Sequence, residues 1–390
     1  MSVAIDSKPA LEFKEHLVQL RRQIHANPEY GFREFDTSRL IAKTLRELGA
    51  TVREGVAKTG VVAEIGIGSP VVAIRADMDA LPINEATGLD FASRVPNMMH
   101  ACGHDAHVAC ALGAAMLLNG EPLRGTVRFL FQPSEEQRDE EGQSGALKMI
   151  EEGVLDGVSS VIALHTRALP VGFIGVTSGP AMAANDTINI TILGRAAHGA
   201  HPEQGIDAIA IAAQVITAIQ QIVARRISAV TPAVVSITTI QGGVKENVIA
   251  DRVELGGTIR STGGSARDLL ISELDAALNV GRAMGATCEL RIKEGYAATN
   301  NDPGVTQTIR DAATEVLGSN HVVDLPFDPW AEDFGYMSAR VPGSMFWLGV
   351  TSDLVPNPIW HSSTFDLDEA ALPIGAMVLA ASARRLLQGE

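Results

Sequence analysis

Six side chains of metal-ligand type stand in four fragments: Cys102 and His104 in H-A-C-G-H-D, Glu135-Glu136 in Q-P-S-E-E, His165 closing V-I-A-L-H, and His361 in W-H-S-S. Thiolate and imidazole favour zinc and its borderline-soft neighbours, and a carboxylate in the set keeps manganese and cobalt in play. Magnesium and calcium prefer oxygen alone. A lone histidine on an apolar strand is more often a packed core residue than a ligand, so no fragment carries the case alone. Each fragment, however, sits where an apolar run gives way to Gly, Pro or Ser, and side chains at strand ends converge on the rim of an open sheet. The set points to a divalent-metal hydrolase.

Residue type also divides the labour. Cys102 and His104 flank Gly103, so one tight turn presents both, and Asp105 is placed to orient an imidazole from behind. His107 reads as well as a helix-start residue as a ligand. Glu135 and Glu136 follow the strand T-V-R-F-L-F and a proline, and adjacent carboxylates point in different directions. One can hold a metal while the other takes the proton of the water that the metal acidifies and passes it to the leaving amine. Glu140-Glu141 reads as a solvated acidic loop. Farther along, His198 in G-R-A-A-H-G-A-H-P lies just beyond what reads as an edge-type strand, where an imidazole can donate to a developing oxyanion. Arg260 ends G-G-T-I-R, where a guanidinium can fork onto a substrate carboxylate or form a surface ion pair.

The elements that must position these groups alternate. Phe13, Leu17, Leu20 and Ile24 predict a helix ending before Asn27-Pro28, and a second follows Asp36 and stops at Gly49. Strands are predicted at Val61 to Ile65, Val71 to Ala76 and Thr126 to Phe131, with an Ala-rich helix after His107 between the last two. The pattern is that of an α/β domain with a parallel or mixed sheet. Near Ala184 the rhythm changes. Strand D-T-I-N-I-T-I-L, a helix Ile206 to Arg225, strands A-V-V-S-I-T-T-I and R-V-E-L-G-G-T-I-R, a helix Ala266 to Met284 and strand T-C-E-L-R-I follow one another, the β-α-β-β-α-β order of a ferredoxin-like insert. The α/β pattern returns with a helix near Val305 to Leu317, strand S-M-F-W-L and a last helix Leu367 to Leu387. The expected division is therefore a discontinuous metal-binding catalytic domain over 1–183 and 294–390, and an insert over 184–293.

Composition bounds the partners. At 390 residues two domains are the default, and 46% hydrophobic with 20% charged residues describes an ordinary globular chain. A formal charge of −15 argues against nucleic acid or an anionic membrane as main partner. Three scattered cysteines make no disulfide framework, the first residues lack the apolar core of a signal peptide, and no apolar run is read as long enough to span a membrane, so a cytoplasmic protein is expected.

R-A-D-M-D-A-L-P from Arg75, M-H-A-C-G-H-D-A-H from Met99, F-Q-P-S-E-E, A-E-D-F from Ala331 and W-H-S-S-T-F, in that order, resemble the M20 metallopeptidase and amidohydrolase family, in its N-acyl-amino-acid and hippurate hydrolase branch. The resemblance covers nearly the whole chain. It implies a two-metal site (Zn, Mn or Co) with Cys102, His104, Glu136, His165 and His361 as ligands, Glu135 as general base and Asp77 as a support. It also implies that the insert is a lid through which chains form a homodimer or homotetramer. His198 would match the lid histidine that reaches a neighbouring subunit's site, and Asn247 and Arg260 the polar lid residues near a substrate carboxylate. The implied substrate is a small N-acyl amino acid. Ala250, Ala297 and Ser363 stand where the family commonly has proline, and Arg167 is an unusual companion for His165; these bear on the pocket rather than the ligands. Three other readings remain: the same site acting on a carbamoyl, succinyl or dipeptide amide, a metal or small-molecule binding protein, and a hydrolase with Cys102 as nucleophile. G-I-G-S-P after Ile65 lacks the third glycine of a dinucleotide fingerprint.

Overall fold

The strand Val71–Asp77 is buried from its second residue onward, as a strand covered on both faces must be. It lies inside an eight-stranded mixed sheet, which runs Thr51–Val56, Gly60–Gly66, Thr126–Gln132, Val71–Asp77, Val158–Pro170, Gly343–Thr351, Ile174–Val176, Val322–Asp324 from edge to edge. The inner neighbours of Val71–Asp77, and the pair formed by Val158–Pro170 and Gly343–Thr351, are parallel; the first two strands turn back antiparallel. This computed structural model describes residues 8–389.

One face of the sheet carries the helix His104–Leu118, of whose 15 residues 13 are buried, so it is apolar all round rather than amphipathic. The helices Lys8–Ala26 and Leu372–Gln388 pack over it and join the same core through Leu17, Leu20, Val378 and Leu379. Close approach requires glycine. A Cβ on Gly113 would stand 2.7 Å from Ala376 Cβ, and one on Gly375 2.7 Å from Cys110 Sγ. The last helix starts at Leu372 rather than Leu367, because Asp368 caps a short 3-10 turn, Glu369–Ala371, and a proline opens the helix.

The chain divides into two compact units. One holds the described residues through Gly179, Asn300–Pro326 and the chain from Tyr336 onward; the other holds Pro180–Thr299 and Phe327–Gly335. The second unit contains the β-α-β-β-α-β order. Its four strands run Ala233–Gly242, Arg252–Ser261, Ala184–Leu193, Thr287–Lys293, all antiparallel. Ala184–Leu193 is thus an inner strand, not an edge, because the closing strand Thr287–Lys293 covers its other side. The helix expected from Ala266 to Met284 is two, Gly264–Ala277 and Asn279–Ala283. The break at Leu278 lets Gly281 settle against Ile211, Val215 and Cys288, where a Cβ would lie 2.7 Å from Cys288 Sγ.

Two stretches, Ala208–Arg225 and Glu369–Gln388, do reach the length and apolarity of a membrane span, against the sequence expectation. Ile211, Val215, Ile219 and Ile222 of the first lie in the core of the second unit, and Val378, Leu379 and Leu387 of the second lie in the core of the first. Both are core helices.

Candidate metal centre

The C-terminal ends of Val71–Asp77 and Thr126–Gln132 stop side by side, and the chain leaving each supplies part of the site. Gly103, at φ 92°, turns the incoming loop into the helix that His104 begins. A Cβ there would lie 2.7 Å from Thr166 Oγ1, so both conformation and space demand glycine. His104 Nδ1 donates to the Asp79 carbonyl at 2.9 Å, which leaves Nε2 as the lone-pair nitrogen. That Nε2 is buried without a hydrogen-bond partner, 3.6 Å from Asp77 Oδ2 and 4.0 Å from Glu136 Oε1.

His165 is fixed the same way. Its Nδ1 donates to the Thr166 carbonyl at 2.9 Å, its ring meets Trp347 edge-on at 6.0 Å, and its Nε2 faces Cys102 Sγ at 3.6 Å. His165 does not end its strand, which runs on to Pro170, so it enters the site from the sheet rather than from the rim. Arg167, two residues on, places its guanidinium 5.4 Å over the Trp347 ring. Burial and the neighbouring His107 hold the His165 imidazole well below its usual range, neutral and able to ligate. His361 arrives on a left-handed backbone, φ 59°, with its N–H donating to the Ala101 carbonyl at 2.8 Å. Its Nε2 stands 3.1 Å from Glu136 Oε1. The approach is close enough for an ion pair but lacks hydrogen-bond geometry, since Oε1 has no donor.

Donor atoms of Cys102, His104 and His165 all lie within 4.8 Å of one another, as do those of Cys102, Glu136 and His361 and those of His104, Glu135 and Glu136. The site is built for positive charge. Cys102 and the Glu136 carboxylate beside it raise His361 to about 10, and His104 is driven well up by Asp77 and Cys102 although burial opposes it. The Cys102 thiol moves up as well, through burial and then Glu136, opposite to what a free nucleophilic thiolate requires.

Asp105 serves differently from expectation, and His107 takes the helix-start reading rather than that of a ligand. His107 donates from Nδ1 to Asp77 Oδ1 at 2.6 Å and accepts the Thr166 N–H at Nε2 at 3.1 Å, so both nitrogens are spent and it is an internal strut. Asp105 orients no candidate ligand. It follows His104 on a helix, where consecutive side chains diverge, and receives Arg21 Nε at 3.0 Å and His25 Nδ1 at 2.8 Å. Asp77 does support the site, joining Arg75 at 2.8 Å to His107 and the His104 edge. The residue that sequence reasoning missed is Asp79, the second acid of R-A-D-M-D: its Oδ1 and Oδ2 accept the backbone N–H groups of Glu135 and Glu136, each at 3.0 Å.

The His25–Asp105 pair carries a pH signature. Burial opposes charge on His25, but the hydrogen bond and charge of Asp105 prevail and raise it to about 9. A raised histidine stabilises the fold fully below its unfolded value, near 6.5, and loses that contribution as pH climbs through its folded value. Denaturant titrations should therefore show stability falling by about 3 kcal/mol between pH 6.5 and 9 relative to His25→Gln, and an equal pH slope in both proteins would contradict the assignment.

In the second unit His198 forms a two-residue strand with Ala197 and pairs with Val248. Its Nδ1 accepts the Ala200 N–H at 3.1 Å, which leaves the proton on Nε2 of an exposed ring. Asn247 adjoins it, its carbonyl accepting the Gly199 N–H at 2.8 Å. Arg260 donates from a guanidinium nitrogen to the Pro329 carbonyl at 2.9 Å. Of the proline departures, Ala250 caps the helix from Ala208 through its carbonyl at 3.0 Å, and the Ser363 carbonyl accepts the Ala86 N–H at 2.8 Å.

Residues 73–385 match Peptidase family M20/M25/M40. The chain is similar to Thermostable carboxypeptidase 2 of Saccharolobus solfataricus, 41% identical with 95% of each chain covered. It is similar as well to N-acetylcysteine deacetylase of Bacillus subtilis, 40% identical with 94% of this chain and 96% of the relative covered. A solved Bacillus subtilis protein described as a dinuclear metal-binding peptidase of the M20 family superposes with a TM-score of 0.85 at 38% identity, covering 97% of this chain and 99% of that one. The five ordered sequence blocks, the clustered donor atoms and these full-length matches agree: the chain belongs to Peptidase family M20/M25/M40, and it is a metal-binding hydrolase of amide bonds.

Proposed function

We propose that this enzyme cleaves the amide of N-acyl-L-amino acids, hippurate-like compounds among them, releasing a carboxylic acid and the free amino acid. The observation that carries the reading is the pair of buried, partnerless atoms His104 Nε2 and Glu136 Oε1, set among overlapping donor triads with Glu135 in one of them. A nitrogen, sulfur and oxygen set with orphaned lone pairs fits divalent ions, and two triads sharing Cys102 fit two of them, held by Cys102, His104, Glu136, His165 and His361. Zinc, manganese or cobalt suits such ligands. When bound, the ions would polarise the scissile carbonyl and acidify water.

The rest is the chain's own work. Glu135 takes the proton of the attacking water and delivers it to the leaving nitrogen. Asp79, through the two amides it accepts, holds Glu135 and Glu136 apart in direction. His198, protonated on Nε2, donates to the oxygen that gains charge, reaching the site of a second subunit. Arg260 and Asn247 receive the substrate's carboxylate. In this reading 184–293 is a lid and dimerisation domain, 1–183 with 294–390 is the catalytic domain, and the protein is a cytoplasmic homodimer or homotetramer. Its acidic charge and three free, buried cysteines fit that setting. The N-acetylcysteine deacetylase relative favours this acyl-amino-acid reading over others in the class.

A panel of N-acetyl, N-benzoyl, N-carbamoyl and N-succinyl amino acids and plain dipeptides decides the point. Highest kcat/KM for an N-acetyl or N-benzoyl amino acid is expected; a dipeptide or carbamoyl compound turned over faster would replace the reading.

A further inference from the structure

Glu34 occupies the N-cap position of the helix Phe35–Glu47 and caps nothing: its side chain accepts no helix amide. Glutamate is a poor cap compared with Ser, Thr, Asp or Asn, so the helix does not explain it. The side chain is fully buried instead, and it reaches 100 residues along the chain to accept the Ser134 N–H at 2.8 Å, while Thr59 Oγ1 hydrogen-bonds its other oxygen.

Ser134 begins the turn that aims Glu135 and Glu136. It holds a left-handed backbone, φ 49°, which a serine adopts only under constraint. The constraint is visible on every side. Three consecutive amides are given to two buried carboxylates, Ser134 to Glu34 and Glu135 and Glu136 to Asp79. The Ser134 carbonyl accepts the Gly145 N–H at 2.9 Å, and Gly31 packs so closely that a Cβ there would lie 2.3 Å from Ser134 Oγ. Consecutive N–H groups converging on acid oxygens form an anion-binding concavity, here filled by the protein's own side chains.

We propose that Glu34 is a positioning residue of the reaction: by holding the Ser134 amide it keeps the turn strained and the Glu135 carboxylate on its bearing. The proposal rests on Glu135 being the general base. Burial, and then the charge of Asp79, raise the Glu34 carboxyl to about 8. Its Oε1 accepts from the Ser134 N–H and its Oε2 from the Thr59 hydroxyl, and glutamine keeps both the bulk and an oxygen for the Ser134 amide where alanine keeps neither.

The test is a double-mutant cycle between Glu34 and Glu135, with kcat, KM and bound metal measured on each protein. Glu34→Ala should lower kcat by about 10- to 100-fold, the cost of a catalytic group displaced by roughly 1 Å, with KM and metal content unchanged. Glu34→Gln should run close to the wild-type rate at pH 7. In the Glu135→Gln background, Glu34→Ala should cost nothing further, because the group it aims is gone. Thr59→Val, which keeps the side-chain shape while removing Glu34's other partner, should show a milder loss of kcat and serves if Glu34→Ala does not fold. A wild-type kcat for folded Glu34→Ala, or the same loss in both backgrounds, overturns the proposal. Wild-type turnover by Glu135→Gln alone would instead remove the general-base reading, whatever Glu34 does.

Discussion

Glu135→Gln is expected to lower kcat by about 10⁴-fold, the upper end of what a positioned general base contributes, while the protein keeps its full complement of metal. The separation follows from the site. Glu135 and Glu136 are adjacent, yet Glu136 shares one triad with Cys102 and His361, while Glu135 shares another with His104 and Glu136. Glutamine keeps the volume of a side chain that is only 5% exposed, so packing stays and proton transfer goes. Metal analysis and steady-state kinetics on the same sample check it. Loss of metal together with activity would make Glu135 a ligand. Full activity would remove Glu135 from the mechanism.

The second large effect is His198→Ala, expected to lower kcat by about 10²- to 10³-fold, as removal of one oxyanion donor does. The tautomer supports the role: with Nδ1 accepting the Ala200 N–H, the exposed Nε2 carries the hydrogen. KM should change little, because the donor meets charge that develops only as the carbonyl is attacked. If His198 serves a neighbouring subunit, mixing His198→Ala chains with Glu135→Gln chains should restore part of the activity, since a mixed dimer holds one site with both groups. No recovery from hybrids shown to have exchanged subunits would place His198 in its own chain's site or outside the reaction.

The sequence disclosed those features whose signal is local. Leu17, Leu20 and Ile24 before Pro28, and Gly49 with its positive φ, mark helix ends because periodicity and backbone conformation act within a few residues. Cys102, His104, Glu136, His165 and His361 stood out by type, and the fold brings their donor atoms together. What stayed hidden depends on contacts between distant segments. Asp105 reads as a partner for its neighbour His104, but its partners are Arg21 and His25, some 80 residues earlier. Asp79 and Glu34 act on backbone amides, which leave no mark on the residues they hold. The strand Ala184–Leu193 reads as an edge because its second neighbour, Thr287–Lys293, arrives about a hundred residues later. Thr51–Val56, mostly exposed at the sheet's margin, lacks the apolar run that identifies its inner companions.

The proposed reaction needs divalent metal on the clustered donors and an N-acyl amino acid as substrate. Release of free amino acid from hippurate and N-acetyl amino acids, followed with and without a chelator and after return of zinc, manganese or cobalt, decides both requirements together. Release that the chelator stops and one of those metals restores is expected. Release indifferent to chelation but stopped by thiol alkylation would contradict it in favour of a Cys102 nucleophile, and no release under any metal would contradict the N-acyl amino acid assignment itself.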